Sequence, residues 1–266
     1  MKQPTPNCPV QPVHQIECLI LAAGNGLRLK PLSLRIPKPL VRVDGKPLLE
    51  HVILSAEEAG TNTFLIVVGD RAELVRRHFA TKSCPWRTLR WVENPEYEKE
   101  NGVSALQARN LLREPFLLLM GDHLFEPRTA KALLKQPLQK GEVVLAVDRK
   151  LDRIFDLEDA TKVRLQGDLV TDIGKEIAPY DAVDTGMFLC SHGLFEALQT
   201  SLKDGNCSLS DGMRHLARHR RLRAFDIGEG YWVDVDTPQA LVYAETVFHR
   251  VLSSQEGSDS TESELA

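Results

Sequence analysis

The sequence predicts an α/β domain in which helices cover both faces of a mostly parallel, Rossmann-like central sheet. The first observation is a set of short runs that are apolar on both faces, which is typical of strands buried on both faces. The second is that segments with helical spacing alternate with these runs, as in doubly wound folds. The third is size, because 266 residues, 42% of them hydrophobic, suffice for one large domain with an enclosed site.

Strands and helices are predicted in alternation over the first 150 residues. Strands are expected at 16–23, 63–68, 116–120 and 143–147, and the first three run into Gly24, Gly69 and Gly121. Helices are expected at 48–59, where Gly60 favours a C-terminal stop, and at 72–79 and 103–112.

The pattern changes after residue 150. Residues 161–165 and 169–173 predict a β-hairpin around a turn that contains Gly167. An apolar run follows at 187–190, and helices are expected near 194–202 and 211–218. A last helix over 238–251 is predicted because Thr237 suits the N-cap and Pro238 the first helical position.

Charge and cysteine content exclude several classes of protein. Lys and Arg number 33 against 37 Asp and Glu, a net charge of −4 that argues against a nucleic-acid-binding protein. No apolar run reaches the roughly 20 residues of a membrane span, so no integral membrane segment is expected. Five cysteines, an odd number without a Cys-x-x-Cys pair, favour reduced thiols and a cytoplasmic location.

The two ends of the chain differ in composition from the middle. Residues 1–14 are rich in proline and lack the apolar segment of a secretory signal, so we expect a flexible leader. Residues 253–266 contain four acidic residues and no basic one, so we expect a disordered acidic tail. The domain itself is predicted over residues 15–252.

The first predicted strand runs directly into a turn with two glycines. Main-chain amides can approach a phosphate closely there, and Arg28 and Lys38 add positive charge. A plain tight turn is the alternative. Leu29 stands where a third glycine would complete the dinucleotide fingerprint, and the Walker pattern is absent. The candidate phosphate-binding residues are Leu21, Ala22, Ala23, Gly24, Asn25 and Gly26.

Three aspartates are candidate metal ligands. Asp122 follows a buried strand, where open α/β sheets bind ligands and a carboxylate suits Mg²⁺; a turn cap is the alternative. Asp234 and Asp236 alternate along the chain, so both are expected on one face of a strand with a cation beside them. A strand end followed by a helix cap is the alternative for this pair. His123 is expected to form a local hydrogen bond rather than to bind a ligand.

Residues 21–40 resemble the signature of sugar-phosphate nucleotidylyltransferases, an LAAGxGxRLxP loop followed by PKPL. Leu27 departs from the pattern, at a position where that family more often has Thr or Ser. The resemblance implies a nucleotidyltransferase fold of the glycosyltransferase A type. It also implies that Arg28 and Lys38 are catalytic and neutralise triphosphate oxygens in the transition state.

The same family has a W-x-D-x-G-T segment that supplies a carboxylate to the metal. Asp234 matches that carboxylate, whereas Asp236 stands where the family has Gly. The resemblance therefore implies Mg²⁺ bound by Asp122 together with Asp234 or Asp236.

A series of short motifs narrows the resemblance. Taken in order along the chain, they look like the cytidylyltransferase domain that activates inositol 1-phosphate with CTP: residues 94–104, 121–123, 160–163, 173–175, 183–186 and 232–237. Residues 94–104 also look like choline-phosphate cytidylyltransferases. The resemblance implies a small acceptor region that contains the predicted hairpin.

The resemblance also implies which residues bind the two substrates. The implied nucleotide-binding residues are Asn94, Asn101, Gly102 and Ser104, and the implied acceptor-binding residues are Lys175, Asp184 and Thr185. For Lys175 the alternative is an exposed lysine in a turn, without a role in binding.

The activity implied by the resemblance is transfer of CMP from CTP to a phosphorylated polyol, inositol 1-phosphate, with release of pyrophosphate. A choline headgroup would favour an aromatic cage, and many of the 16 aromatic residues fall in predicted core runs. The alternatives are a mannose-1-phosphate guanylyltransferase, a choline-phosphate-type cytidylyltransferase and a non-catalytic nucleotide-sensing subunit.

The expected partners are these small-molecule substrates, with a separate membrane transferase downstream and a homodimer as further possibilities. The arginine-rich residues 214–223 are expected to form a solvated helix face, and docking to an anionic membrane or a protein partner is the alternative.

Overall fold

A nine-stranded sheet forms the centre of the computed structural model, which describes residues 16–81 and 88–247. Its strands are β1 (Glu17–Ala22), β4 (Thr63–Val68), β5 (Thr88–Glu93), β6 (Phe116–Met120), β8 (Val143–Asp148), β9 (Lys162–Gln166), β10 (Leu169–Gly174), β11 (Ala182–Cys190) and β12 (Leu222–Asp226). Two short pairs lie outside the sheet: β2 (Arg42–Val43) with β3 (Lys46–Pro47), and β7 (His123–Phe125) with β13 (Trp232–Asp234).

The strand order is β5-β4-β1-β6-β11-β8-β12-β10-β9, with an additional pairing of β11 with β9. Strands β5, β4, β1 and β6 are parallel, and so are β8 and β12. Strand β11 is antiparallel to β6 and to β8, which therefore run in the same direction as each other. The carboxyl ends of β1, β6 and β8 consequently meet at one edge of the sheet. The predicted mostly parallel α/β fold is confirmed.

Helices pack on both faces of the sheet because β1 alternates its apolar side chains between two cores. Leu19 belongs to one core with Leu118 and Phe188, and Ile20 to the other with Ile66. The first core is covered by α4 (Asn101–Leu106), α6 (Gly193–Ser201) and α7 (Leu209–Arg218), and the second by α2 (Leu48–Ala59), α3 (Ala72–Ala80) and α5 (Pro127–Leu133). A short helix, α1 (Leu32–Arg35), follows β1.

The final helix begins where the sequence predicts. Residues 238–247 are helical, and the amide of Ala240 donates to Thr237 Oγ1 at 3.1 Å, so Thr237 caps the first turn. The rest of that predicted helix lies outside the described residues.

Two predicted elements differ in the structure. The helix expected at 103–112 ends at Leu106, because the following amides bond to carbonyls three residues back, as Gln107 does to Ser104. The predicted hairpin forms as β9 and β10, but it is joined to the main sheet through β12 and β11. The hairpin is thus part of the same sheet.

Several expectations concern residues outside the described ranges, including the leader and the acidic tail. Cys18, Cys190 and Cys207 are buried and free of disulfides, whereas Cys8 and Cys84 lie outside the described residues. Among the helices that the structure describes, none is long and apolar enough to cross a membrane.

Candidate active site

A cavity of about 830 Å³ opens at the edge where the carboxyl ends of β1, β6 and β8 meet. Such an edge is where open α/β sheets bind their ligands. The predicted site residues that line it are Leu21, Ala23, Gly24, Asn25, Gly26, Arg28, Lys38, Asn101, Ser104, Asp122, Lys175, Asp184, Asp234 and Asp236. Residues distant in sequence are therefore brought to one place.

The turn after β1 brings the chain close to Lys38. Gly26 has φ +64, and a Cβ built there would lie 2.9 Å from Lys38 Cβ. A larger residue at position 26 would be strained and would push Lys38 aside. The turn is further ordered by the amide of Leu27, which donates to Asn25 Oδ1 at 3.2 Å.

Two cations converge on one carboxylate in the cavity. Lys38, only 7% exposed, forms ion pairs with Asp236 and with Asp122. Arg28, half exposed, pairs with Asp236 and with Asp159. Burial opposes the charge of Arg28, but the neighbouring Asp159 carboxylate raises its pKa. Both predicted catalytic cations thus lie side by side, each neutralised by aspartate.

A second cluster joins the ends of β6 and β13. His123 Nδ1 lies 2.8 Å from Asp122 Oδ1 and 3.7 Å from Asp234 Oδ1. Burial opposes protonation of the imidazole, yet the two carboxylates raise the pKa of His123 to about 9. Burial also favours the neutral acid at Asp122, but Lys38 and His123 hold the pKa of Asp122 far below its usual range. The cluster is a tightly paired set of opposite charges.

Gly186 leaves the space that the His123 ring occupies. Gly186 has φ +75, and a Cβ built there would lie 2.5 Å from His123 Cδ2. On another side, the ring stacks on Trp232 with centroids 5.7 Å apart. The position of His123 is therefore fixed by β11 and β13 together.

One atom of this cluster points to a metal ion. Asp234 Oδ1 is buried and has no hydrogen-bond partner among the described residues, which is costly unless a cation binds it. Ligand atoms of Asp122, His123 and Asp234 lie within 4.8 Å of one another. The two carboxylate oxygens fit a hard divalent cation, and His123 holds the Asp122 carboxylate in place beside them. The residues present can therefore hold a divalent metal.

Asp234 and Asp236 both face the cavity, as the alternation predicts. The side chains of Val233 and Val235 lie together in a buried core on the other side of the chain. Strand β13 itself ends at Asp234, and the Asp236 carboxylate pairs with Arg28 and Lys38. Asp236 is not part of the cluster around His123.

Two of the three predicted acceptor-binding residues line the cavity. Lys175 Nζ lies 2.5 Å from Asp159 Oδ1, and Asp159 also pairs with Arg28. Burial raises the pKa of Asp184 to about 6, although Asp184 Oδ1 accepts from the amide of Gly186 at 2.7 Å. Both side chains line the cavity, so a ligand bound there can contact them.

Thr185 is fully buried, and its hydroxyl donates to the carbonyl of Ala146 at 2.8 Å. Along β11 it points away from the cavity that Asp184 and Gly186 line. This placement corrects the expectation that its hydroxyl meets the acceptor.

Three predicted nucleotide-binding residues also lie behind the cavity wall. Asn94 is fully buried and donates from Nδ2 to Ser104 Oγ at 2.9 Å. Gly102 packs so closely on Cys207 that a Cβ would lie 2.6 Å from its carbonyl oxygen. Ala22 belongs to the core on the opposite face of the sheet. These residues support the wall, whereas Asn101 and Ser104 face the cavity.

Sequence reasoning missed Asp148 and Asp159. Asp148 ends β8, and it accepts from Trp232 Nε1 at 3.1 Å and pairs with Lys150 at 2.8 Å. The rule that found Asp122, a carboxylate at the carboxyl end of a buried strand, also applies to Asp148. Asp159 lies in the loop before β9, and no motif marks it.

A mostly parallel sheet with a glycine turn and paired charges at its carboxyl edge is typical of α/β domains that bind nucleotides. Comparison with known proteins agrees, since residues 18–225 match the family described as "MobA-like NTP transferase domain". The chain belongs to this family.

Individual relatives narrow the similarity further. The chain is 38% identical over 228 residues to "Bifunctional IPC transferase and DIPP synthase" of Rubrobacter xylanophilus, covering 85% of this chain and 50% of that protein. It is 34% identical to the protein so described from Aquifex aeolicus, covering 83% of this chain and 49% of the relative. The chain thus spans about half the length of these curated relatives.

A solved structure is similar over nearly its whole length. The inositol-1-phosphate CTP transferase from T. maritima superposes with a TM-score of 0.76 at 26% identity, covering 85% of this chain and 91% of that one.

Proposed function

We propose that this chain transfers CMP from CTP to inositol 1-phosphate and releases pyrophosphate. The observation that carries the proposal is the convergence of Arg28 and Lys38 beside the Asp122 and Asp234 carboxylates in one cavity. Cations and metal-binding carboxylates on one reacting centre are what phosphoryl-group transfer requires. The similarity to proteins described as IPC transferase and inositol-1-phosphate CTP transferase supports the choice of substrates.

Binding of the nucleotide exchanges ion-pair partners in the site. Asp236 neutralises both Arg28 and Lys38 in the structure. Triphosphate oxygens take the place of this carboxylate, and the amides around Gly24 and Gly26 approach the phosphates without side chains in the way. Both cations are then aimed at the triphosphate before the chemical step.

The reaction itself is an in-line displacement. An oxygen of the acceptor phosphate attacks the α-phosphorus, a new P–O bond forms, and the bond from the α-phosphorus to the oxygen bridging to the β-phosphate breaks. No general base is needed, because a phosphomonoester is largely ionised near neutral pH. Lys38 and Arg28 stabilise the charge that grows on the leaving pyrophosphate. Catalysis is then positioning together with charge neutralisation.

We propose Mg²⁺ as the divalent metal. Asp122 and Asp234 would hold it, since their hard oxygens match its preference and Asp234 Oδ1 accepts no hydrogen bond from the described residues. When bound, Mg²⁺ supplies neutralisation of phosphate charge. His123, which bridges both carboxylates, keeps them oriented.

The acceptor side of the cavity suits a phosphorylated polyol. Lys175 offers a cation for the phosphate, and Asp184 and Asp148 offer oxygens for hydroxyl groups. Aromatic side chains are more frequent here than the sequence indicated, since the cavity is lined by Phe155, Phe188, Tyr231, Trp232 and Tyr243. Phosphocholine is therefore the second candidate acceptor. However, Phe155 stacks on Tyr243, and Trp232 stacks on His123. Each of these rings therefore has one face covered, which argues against an aromatic cage for a choline headgroup.

The test is pyrophosphate release from each of four nucleoside triphosphates against inositol 1-phosphate, phosphocholine and mannose 1-phosphate. We expect the highest kcat/KM for CTP with inositol 1-phosphate. A higher value for either other acceptor, or for GTP, would overturn the choice of substrate and leave the reaction class standing. No pyrophosphate from any pair would favour a nucleotide-sensing subunit, although Arg28, Lys38, Asp122 and Asp234 are all present.

The setting of this activity is part of the proposal. We place the enzyme in the cytoplasm, with a membrane transferase consuming its product, and we propose a homodimer. Fractionation of cells and the molar mass in solution test these expectations.

A further inference from the structure

Exposed apolar side chains are concentrated in one short segment beside the cavity. Seven large hydrophobic residues are exposed among those the structure describes, and four of them fall within residues 27–36. They are Leu27 (58% exposed), Leu32 (41%), Leu34 (64%) and Ile36 (37%). Single exposed hydrophobic residues need no explanation, but a cluster marks an interaction surface. We call residues 27–36 the shoulder.

The shoulder is fixed to the body of the protein. Leu29 is fully buried in a core with Leu48 and Val233. Ser33 is also buried, and Arg71 Nη2 donates to its carbonyl at 2.7 Å. These inward contacts hold the shoulder in place, while its outward side chains stay exposed in the part of the chain that the structure describes.

The shoulder also carries only positive charge. It contains Arg28, Lys30 and Arg35 and no acidic residue. Lys30 and Arg35 are exposed, and within the described part of the chain neither forms an ion pair. A surface that combines outward leucines with unpaired cations fits a surface that is both apolar and anionic.

We propose that the shoulder docks this protein onto an anionic lipid surface. Leu32, Leu34 and Ile36 would enter the boundary between headgroups and acyl chains, while Lys30 and Arg35 lie among the lipid phosphates. The cavity mouth, which Leu27 and Arg28 line, would then lie next to the membrane. This inference does not depend on the identity of the substrates.

A second copy of the chain fits this surface less well. In a symmetric dimer the same patch meets itself, so Lys30 and Arg35 would face their own copies. Like charges brought together in a desolvated interface are costly. An anionic bilayer offers the opposite charge over the whole patch.

The arginines near the end of α7 provide a matched control. Arg218 and Arg220 are exposed, and neither forms an ion pair among the described residues. They precede β12, whose first residue pairs with the start of β8, so they lie at the sheet edge opposite to the cavity. Replacing both of them changes the net charge by the same amount as replacing Lys30 and Arg35, but it leaves the shoulder unchanged.

The experiment is co-sedimentation of the full chain with vesicles of equimolar phosphatidylglycerol and phosphatidylcholine, and with vesicles of phosphatidylcholine alone. We expect binding to the anionic vesicles that weakens with salt. K30Q/R35Q should weaken it roughly 30-fold, since each basic residue near an anionic surface contributes about 1 kcal/mol. R218Q/R220Q should bind like the wild type.

A further variant tests the apolar part of the surface. L32S/L34S/I36S should also lose vesicle binding, while its thermal midpoint and pyrophosphate release in solution stay unchanged. These substitutions spare the buried Leu29 and Ser33 and the cavity-lining Leu27 and Arg28.

Four results would overturn the proposal. The first is no binding to anionic vesicles, and the second is equal loss of binding in R218Q/R220Q and K30Q/R35Q. The third is binding that appears only after residues 253–266 are removed, which would make the acidic tail the occupant of the shoulder. The fourth is a wild-type dimer that L32S/L34S/I36S converts to a monomer, which would make a second copy the occupant.

Discussion

The two sides of the cavity are built differently. On the side of β1 and β6, Lys38 is almost completely buried and Asp122 directly follows a buried parallel strand. On the side of β9 and β11, Lys175 and Asp159 are each between one third and one half exposed, and they pair across a loop. Because the charges of the first side are held in buried contacts, we expect that side to be rigid and preorganised. Because those of the second side are exposed, we expect it to be adjustable. This difference fits a site in which the triphosphate is constant and the acceptor decides specificity.

Asp122→Asn tests the rigid side, and we expect it to have the largest effect on turnover. We expect turnover to fall about 1000-fold, because the substitution removes a negative charge from the proposed metal site while the amide oxygen can still accept from His123. Pyrophosphate release at saturating Mg²⁺ and the thermal midpoint are measured together. Asp226→Asn, which also changes an aspartate at a strand end but lies outside the cavity, is the control. Near wild-type turnover of Asp122→Asn would refute the metal assignment.

Lys175→Met tests the adjustable side. Loss of one charged hydrogen bond to the acceptor phosphate should raise the KM for the acceptor roughly 10- to 100-fold and leave the KM for CTP unchanged. Steady-state kinetics with each substrate varied in turn separates the two effects. Lys131→Met, at an exposed lysine on α5, should change neither constant. A change in the KM for CTP alone would show that Lys175 contacts the nucleotide and not the acceptor.

Asp184→Asn tests whether burying the ionised Asp184 carboxylate, on the adjustable side, lowers the stability of the fold. Burial raises the pKa of Asp184 to about 6 from 3.8, so its proton is held more tightly in the folded than in the unfolded chain. Its favourable contribution is therefore complete below pH 3.8 and is lost as the pH rises through 6. The variant should gain a few degrees in thermal midpoint at pH 8. A gain of equal size at pH 5 would contradict this account.

Thr185→Val should have the smallest effect. The hydroxyl is buried against the Ala146 carbonyl, so its loss should lower stability by about 1 kcal/mol. The KM for the acceptor should stay within about twofold of the wild type, because the side chain does not reach the cavity. Denaturant unfolding and acceptor kinetics measure both. A clear rise in KM would restore the role that the sequence predicts for Thr185.

The contrast between the two sides also explains what the sequence could predict. Strands β1, β4, β6 and β8 can be predicted from the sequence because burial on both faces requires nearly continuous apolar runs. Asp122 can be predicted because only Gly121 separates it from such a run. Asp159 cannot, since its position depends on a loop that packs against a turn 131 residues away in sequence.

Local patterns also fail to show which partner a side chain meets. Alternation places Asp234 and Asp236 on the same side of the chain, but it does not show that Asp234 joins the cluster around His123 while Asp236 pairs with Arg28 and Lys38. Thr185 and Asp184 are adjacent in sequence and differ in role because neighbours on a strand face opposite sides. Such differences depend on tertiary packing and not on local sequence.

Strand β11 joins these two sides, since it pairs with β6 on one side and with β8 and β9 on the other. Neither half of the sheet can separate without breaking the hydrogen bonds of this strand. The domain should therefore unfold as one cooperative unit, although its cavity has a rigid wall and an adjustable one. The amides of β11 would then exchange with solvent only through global opening, whereas those of the loop before β9 exchange through local fluctuations. A substrate that orders this loop would slow its exchange and leave that of β11 unchanged.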